Sequence, residues 1–264
     1  MDFKTIKFEE IESGIGLLTL NRPDSLNAIS LDMLDELHPF FRDLSEKDNI
    51  RVLIVTGAGR GFCSGADLRD KRLNSEEGVR LFSSASLHLH GVQRQFSRII
   101  LEMRRLPQPI IAAVKGPAAG GGFSMALASD IIIAGSSATF TASFVNIGLS
   151  GGELGTTYFL PKMVGSAKAS EILMTGRTVL ADEADRIGMV SRLVNDEDLL
   201  NSALDTAKVL AGKTFLGLRF TKDSMRQNLN APSLEAAIEL EDRNQSICCC
   251  SSEFFEAVAA FSKK

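Results

Sequence analysis

Two glycine-rich turns carry the clearest chemical signal in this sequence, because each lies just beyond an apolar run typical of a buried strand. The first turn, at 57–62, follows the run 51–56, and the second, at 120–122, follows the run 110–114. The small residues at 123–128 then have the composition of a helix. A strand, a glycine turn and a helix N-terminus leave free backbone N–H groups directed at one point, with the positive end of the helix dipole behind them.

Such N–H groups can bind an anion, or an oxygen atom that becomes anionic during a reaction. The same pattern is also typical of a tight turn that only lets a helix pack closely against a strand. In a parallel sheet the carboxyl ends of the strands meet at one edge, so we expect the two turns to open on the same edge.

Several other kinds of site are excluded by their motifs. A dinucleotide fingerprint needs glycine at the sixth position of the first turn, where Phe62 stands. A phosphate-binding loop at this turn would end in Gly-Lys-Ser or Gly-Lys-Thr, where the chain has Phe62, Cys63 and Ser64. The sequence has no Cys-x-x-Cys pair that could hold zinc. We therefore predict a site without a metal or a separate cofactor.

Charge and cysteine content limit the kinds of binding partner and the cellular compartment that we expect. The 264 residues include 29 Lys and Arg against 33 Asp and Glu, and a net charge of −4 gives no support for nucleic acid or an anionic membrane as the partner. The first residues lack the apolar core of a signal peptide, and no apolar run approaches the roughly 18 residues of a membrane span. Three of the four cysteines are adjacent, Cys248 to Cys250, which excludes a disulfide framework and predicts a reducing, cytoplasmic setting.

The hydrophobic pattern predicts the elements that must position the two turns. Residues 3–8 and 15–20 alternate across a Ser13-Gly14 turn and indicate a hairpin, and Ser30 can cap a helix that follows. A long helix is predicted at 79–105, and a glycine-dense turn at 147–155 leads to another near 154–164.

From Ser166 onward the pattern is mostly helical, at 166–175, 181–187, 196–211, 215–228, 233–247 and 250–262, with a short strand at 189–194. Strands alternate with helices in the first two-thirds of the chain, and helices dominate the rest. This order predicts an α/β fold with a βαβ core of parallel strands over residues 1–195 and a helical C-terminal region over residues 196–264.

Four segments together resemble the crotonase superfamily, which contains the enoyl-CoA hydratases and isomerases. They lie at 21–28, 61–68, 109–122 and 173–190, in the order in which the family has them. The resemblance covers residues about 3 to 262. It implies a crotonase-like ββα spiral core, a helical C-terminal region that forms a homotrimer or a dimer of trimers, and an acyl-CoA thioester as the substrate, so that CoA is part of the substrate.

The resemblance also implies which groups hold that substrate. In the family, two backbone N–H groups bind the thioester oxygen, and by position these belong to Ala66 and Gly121. Gly65, Ala66, Asp67 and Leu68 would lie along the CoA moiety. Removing a proton beside a thioester places negative charge on its oxygen, and two preorganised donors stabilise that charge by several kcal/mol.

The sequence departs from the hydratases at both of their glutamate positions. Ser124 stands at the first and Phe144 at the second, where the phenyl ring would border the substrate in place of the catalytic water. The remaining carboxylate is Glu153, which falls where the Δ3,Δ2-enoyl-CoA isomerases keep their single catalytic glutamate. Partial burial beside an acyl chain would raise the pKa of Glu153 toward neutrality, which suits a group that removes and returns a proton.

The resemblance therefore favours Δ3,Δ2-enoyl-CoA isomerisation with Glu153 as the base. Two alternatives are hydration of an enoyl-CoA, with Glu153 positioning the water, and an acyl-CoA-binding protein without turnover. Glu153 could instead only stabilise the dipole of the helix that follows it. His88 and His90 on the long helix could assist the reaction, but they also fit a solvated helix face.

Overall fold

Two β-sheets with helices packed around them form the part of the chain that the computed structural model describes, residues 3–74 and 85–262. The strands are β1 (Ile6–Glu12), β2 (Ile15–Leu20), β3 (Val52–Gly57), β4 (Ile110–Val114), β5 (Pro117–Ala119), β6 (Ile131–Gly135), β7 (Thr139–Thr141), β8 (Thr178–Leu180) and β9 (Arg192–Val194). One sheet has the order β1-β2-β3-β4-β6-β9, and the other has the order β5-β7-β8.

The larger sheet confirms the predicted hairpin and the predicted parallel core. β1 pairs with β2 in antiparallel fashion, whereas β2, β3, β4, β6 and β9 pair in parallel. β3 and β4 are buried along their whole length, as expected of parallel strands covered on both faces.

The helices are α1 (Leu31–Ser45), α2 (Ala85–Arg105), α3 (Gly121–Ala128), α4 (Thr156–Val164), α5 (Ser166–Thr175), α6 (Ala181–Arg186), α7 (Leu199–Ala211), α8 (Phe215–Asn228), α9 (Leu234–Cys249) and α10 (Ser252–Phe261). Ser30 caps α1 as predicted, since its hydroxyl accepts a hydrogen bond from the Met33 N–H at 3.1 Å. The predicted start of the long helix α2, at residue 79, lies outside the described residues.

Alternate residues of the central strands point to opposite faces of the larger sheet. Leu53 and Val55 join the main core, to which α1, α2 and α3 contribute. Val52 and Ile54 face the other side, where α7 covers the sheet. The sheet is therefore a rigid layer with helices on both sides, and the loops at the carboxyl ends of its strands are free to form a site.

The smaller sheet is a correction to the sequence-based prediction, which takes the chain from β4 straight through a glycine turn into a helix. The structure inserts β5 between them. Gly116 turns the chain with φ +56°, at a place where a side chain would collide with the Arg60 carbonyl oxygen. β5 and β8 are only three residues long, too short for the hydrophobic period to reveal them.

The late helices divide into two kinds. α7 packs on the larger sheet through Leu199, Ala203 and Ala207. In α9 and α10, by contrast, the only buried residue is Asn244, and α10 exposes Phe261. The boundary between regions 1–195 and 196–264 stays a prediction.

Within the described residues, no helix has the length and apolar character needed to cross a membrane.

Candidate active site

The segment that carries Ala66 is held from two sides by backbone hydrogen bonds. On one side the Ile29 N–H donates to the Gly65 carbonyl at 2.7 Å, and the Asp67 N–H donates to the Ile29 carbonyl at 2.9 Å. Successive N–H groups of an extended chain point in opposite directions, so the N–H of Ala66 points away from Ile29. On the other side, the Ala119 N–H of β5 donates to the Cys63 carbonyl at 2.9 Å.

The loop before α1 anchors the same segment through side chains. Asn27 is fully buried, and its amide donates to the carbonyls of Ala58 and Gly61 at 2.9 and 2.8 Å. Arg22 donates to the Asp67 carboxylate at 2.8 Å. The motif at 21–28 thus fixes the glycine turn that follows β3.

Gly65 and Gly121 bring the two turns together. Gly65 has φ +95°, and a Cβ atom on it would lie 3.3 Å from the Gly121 nitrogen and 2.9 Å from the Ala119 carbonyl oxygen. Gly121 is the first residue of α3, where backbone N–H groups have no partner inside the helix. Within residues 3–74 and 85–262, the N–H groups of Ala66 and Gly121 donate no hydrogen bond.

A cavity of about 600 Å³ opens onto these two turns, and we call it the Glu153 cavity. Its lining includes Gly65, Ala66, Leu68, Gly120, Gly121, His90, Gln93, Phe96, Phe144, Ile147, Leu149, Glu153 and Leu154. The cavity therefore combines two backbone donors with one carboxylate and a mostly apolar wall, which is a common composition for a small-molecule site.

The Glu153 carboxylate is held by a residue of α2, whereas the Glu153 backbone bonds to the first residue of the helix that follows. The Gln93 amide donates to Glu153 Oε1 at 2.8 Å. α4 begins at Thr156, whose N–H donates to the Glu153 main-chain carbonyl at 3.0 Å, while among the described residues the carboxylate accepts its hydrogen bond from Gln93. Burial raises the pKa of Glu153, and the hydrogen bond from Gln93 partly offsets that increase. A half-buried carboxyl group with a raised pKa holds a proton more readily than an exposed one, which suits a group that accepts and returns a proton.

The chain makes an unusual turn directly after Glu153. Leu154 has φ +50° and Gly155 has φ +82°, so two successive residues are in the left-handed region. Leu154 has a side chain and is strained in this conformation, at a cost of about 1 kcal/mol or more. The turn places the Leu154 side chain in the cavity wall beside Glu153.

The two positions that hold glutamates in hydratases have different surroundings here. Ser124 is fully buried within α3, where its hydroxyl donates to the Gly120 carbonyl at 3.3 Å, and it is not among the cavity residues. Phe144 does line the cavity, and its ring edge lies 3.6 Å from where a Cβ atom on Gly120 would be. A phenyl ring next to Gly120 makes this wall apolar.

The other candidate residues are distributed around the cavity. Leu68 lines it, whereas the Asp67 carboxylate contacts Arg22 and the Arg69 N–H and lies outside the lining, so a contact of Asp67 with CoA stays a prediction. His90 lines the cavity and is exposed, but the side chain of His88 lies outside the described residues. Among the described residues, no three His, Cys, Asp or Glu side chains converge as they would around a metal ion.

Two residues of this site were missed in the sequence. Gln93 gives no signal, because it contacts Glu153 only after α2 has packed beside the turn at 147–155. Asn27 gives a weak signal, since asparagine tolerates a positive φ, here +57°, better than most residues.

The chain is similar to known proteins over nearly its whole length. The family model described as enoyl-CoA hydratase/isomerase matches residues 10–264. A protein named probable enoyl-CoA hydratase from Mycobacterium bovis is 43% identical over 247 residues, which cover 93% of this chain and 86% of the relative.

Two solved structures are similar over most of their length. A probable enoyl-CoA hydratase/isomerase from Mycobacterium abscessus has a TM-score of 0.89 at 35% identity and covers 98% of this chain and 96% of its own. A monofunctional enoyl CoA isomerase from M. smegmatis has a TM-score of 0.74 at 38% identity, covering 89% of this chain and 98% of its own. These similarities confirm the crotonase-like fold, while the names of the relatives include both hydration and isomerisation.

Proposed function

Because the chain belongs to the enoyl-CoA hydratase/isomerase family, we propose that it is a Δ3,Δ2-enoyl-CoA isomerase with Glu153 as its base. One observation carries the choice: Glu153 is the only carboxylate among the described residues that line the cavity beside Ala66 and Gly121. The two positions that hold glutamates in hydratases carry Ser124 and Phe144.

The proposed reaction moves one proton. The Glu153 carboxylate removes a proton from C2 of a 3-enoyl-CoA, and the electron pair of that C–H bond spreads over a dienolate that ends at the thioester oxygen. The N–H groups of Ala66 and Gly121 donate to this oxygen, and their donation is strongest when the oxygen is anionic. Protonated Glu153 then returns the proton to C4, which gives the 2-enoyl-CoA.

Several properties of Glu153 and its surroundings support this assignment. Burial raises the pKa of Glu153, which favours the protonated form that Glu153 takes in the intermediate. Phe144 and Leu154 give the cavity apolar walls, and a reaction that adds no water benefits from such walls. The step transfers no electrons and forms no bond to a second substrate, so we propose that it needs no cofactor beyond the CoA of the substrate.

Hydration of a 2-enoyl-CoA is the second candidate. It is favoured by the name of the relative from Mycobacterium bovis, a probable enoyl-CoA hydratase. In this case Glu153 would have to position and deprotonate a water molecule at C3 without the help of a second glutamate.

The experiment that separates these functions supplies 3-enoyl-CoA and 2-enoyl-CoA to the wild type and to Glu153→Gln. We expect isomerisation without hydration, and a loss of about 100- to 10,000-fold in kcat in the variant, the usual contribution of a general base. Glu197→Gln, an exposed site outside the cavity, is the matched control.

The other outcomes each support a different function. Hydration by the wild type that disappears in Glu153→Gln would replace isomerisation with hydration. Tight binding of acyl-CoA without turnover of either substrate would indicate a binding protein. Full isomerase activity in Glu153→Gln would remove Glu153 from the mechanism.

We also propose that the chain forms a homotrimer or a dimer of trimers. α9 and α10 expose large apolar side chains, among them Leu234, Phe255 and Phe261, which are 71, 63 and 82% exposed. Exposed apolar surface of this kind is typical of a face that packs against another subunit.

A further inference from the structure

A second cavity adjoins the Glu153 cavity at Leu154. It has a volume of about 400 Å³, and we call it the distal cavity. Its apolar lining comes from Ile100, Leu101, Phe159 and Leu229, with Ser97 at its α2 side. Leu154 lines both cavities, and no other described residue does so. The two spaces are therefore separated at Leu154.

The Leu154 side chain reaches into the reactive part of the Glu153 cavity. Leu154 Cδ1 lies 3.5 Å from where a Cβ atom on Gly121 would be, and Ile29 Cδ1 lies 3.0 Å from the same point. The residue is 9% exposed. Leu154 therefore follows Glu153 in the chain and lies close to Gly121 in the Glu153 cavity. It also forms part of the wall of the distal cavity.

The cationic groups at the distal cavity already have carboxylate partners. Arg104 donates to Asp130 at 3.0 Å, and Arg226 donates to Asp223 at 2.6 Å. Arg104 also lies over the Phe159 ring, with its guanidinium carbon 5.8 Å from the ring centre. Asp130 is shared with Lys222, whose Nζ lies 2.7 Å from it, so the two arginines are paired but Arg104 is not fully neutralised. The lining between these paired groups is mostly apolar and favours a hydrocarbon chain.

We propose that Leu154 sets the length of the acyl group that this site accepts. The proposal rests on the proposed function in taking an acyl-CoA as the ligand. Acyl groups that end at Leu154 fit the Glu153 cavity, and the distal cavity is a continuation that opens when the side chain at this position is shortened. The wild type then prefers short acyl groups, and a variant with a small residue accepts long ones.

The test compares the wild type with Leu154→Ala on two substrates, 3-hexenoyl-CoA and 3-tetradecenoyl-CoA. We expect the ratio of kcat/KM for the long substrate to that for the short one to rise by about tenfold or more, because a single methylene group in an apolar pocket already changes kcat/KM by about that factor. Binding of the saturated hexanoyl-CoA and tetradecanoyl-CoA, measured by calorimetry, should show the same change in the ratio of Kd values.

Two further variants keep the proposal testable. Leu154→Gly removes the side chain, and glycine adopts the positive φ at this position without strain. This variant replaces Leu154→Ala in the test if Leu154→Ala does not fold. Adding Ser97→Phe to Leu154→Ala fills the distal cavity from α2 and should return both ratios to the wild-type values.

The outcomes separate this proposal from the proposed function. Unchanged ratios in a folded Leu154→Ala or Leu154→Gly would overturn the role of Leu154, even if isomerisation is confirmed. A changed Kd ratio in a protein that isomerises neither substrate would support the role of Leu154 and reject the isomerase. A gain for the long substrate that persists with Ser97→Phe would also overturn the proposal, because the chain would then not enter the distal cavity.

Discussion

Gly65 and Gly121 approach so closely that a methyl group on Gly65 would lie 3.3 Å from the Gly121 backbone nitrogen. One glycine belongs to the loop after β3 and the other begins α3, so this contact fixes the loop against the helix. The N–H of Ala66 follows directly after Gly65. The distance between the two proposed donors is therefore set by backbone packing and cannot adjust freely to a substrate.

Gly65→Ala should disrupt this arrangement. The added methyl group would press on Gly121 and on the Ala119 carbonyl at 2.9 Å, and φ +95° is unfavourable for alanine. We expect a loss of about 100-fold or more in kcat, the typical effect of removing one oxyanion donor, as measured by isomerisation of a 3-enoyl-CoA. Gly165→Ala is the control, because φ there is +80° but no atom lies within 4 Å of the added group. Equal kcat values for the two folded variants would contradict the proposed donor pair.

Gln93→Leu should change how the activity depends on pH. Glu153 must be ionised to act as a base, so kcat falls as the pH decreases through its pKa. Burial raises that pKa, and the hydrogen bond from Gln93 opposes the increase. Removing the hydrogen bond should raise the pKa further and move the acid limb of the kcat profile to higher pH. Gln95→Leu, on the same helix but outside the cavity, should leave the profile in place; a profile of Gln93→Leu that coincides with the wild type would exclude this coupling.

Glu36→Gln tests the stability of the junction between β1 and α1. The Glu36 carboxylate accepts hydrogen bonds from the N–H groups of Lys4, Thr5 and Ile6 and from the Thr5 hydroxyl. Burial raises the pKa of Glu36, but these hydrogen bonds together lower it below its ordinary value. The ionised form therefore stabilises the fold at pH values above the ordinary pKa of 4.5, and this contribution is lost as the pH falls through the lowered folded-state pKa.

We expect Glu36→Gln to decrease the free energy of unfolding at neutral pH by about 1–3 kcal/mol in urea titrations. The difference from the wild type should shrink in acid. The control is Glu46→Gln at an exposed position next to the end of α1. A deficit that stays constant from neutral to acidic pH would show that ionisation of Glu36 is not involved.

The exposed apolar face of α10 should determine the oligomeric state. By sedimentation velocity, we expect the wild type to have three or six times the mass of the 28.5 kDa chain. Replacing Phe255 and Phe261 together by serine should reduce this mass. Met174→Ser, at a residue that is 78% exposed on α5, should not. A monomeric wild type would reject the proposed trimer.

The elements with a clear hydrophobic period could be predicted from the sequence. The strand Ile110–Val114 and the helix Phe215–Asn228 have the bounds that the pattern indicates, because burial on a sheet or a helix face repeats locally along the chain. β5 could not be predicted in this way. It has only three residues, and it pairs with β7 and with the segment around Cys63, which are distant in sequence.

The candidate site shows the same division. Motifs in continuous segments predict Ala66, Gly121 and Glu153 as site residues; all three line one cavity, and their roles stay predictions. The partner of Glu153 could not be identified, because Gln93 lies 60 residues away and reaches it only through the packing of α2. The role of Leu154 likewise depends on two cavities that no local pattern describes.

The proposed donors at Ala66 and Gly121 are main-chain N–H groups, and this has a consequence for how such a site can change. Replacing the Ala66 side chain would leave its N–H group in place, so the proposed donors are tested by changes that shift the backbone, such as Gly65→Ala. By the same reasoning, we expect a single replacement at Glu153 or Leu154 to change the proposed proton transfer or the preferred acyl group without removing the N–H groups that are proposed to bind the thioester oxygen. The backbone would therefore supply the groups that bind the thioester, while the side chains at 153 and 154 would determine the reaction and the substrate. This separation makes the fold a practical starting point for redesign.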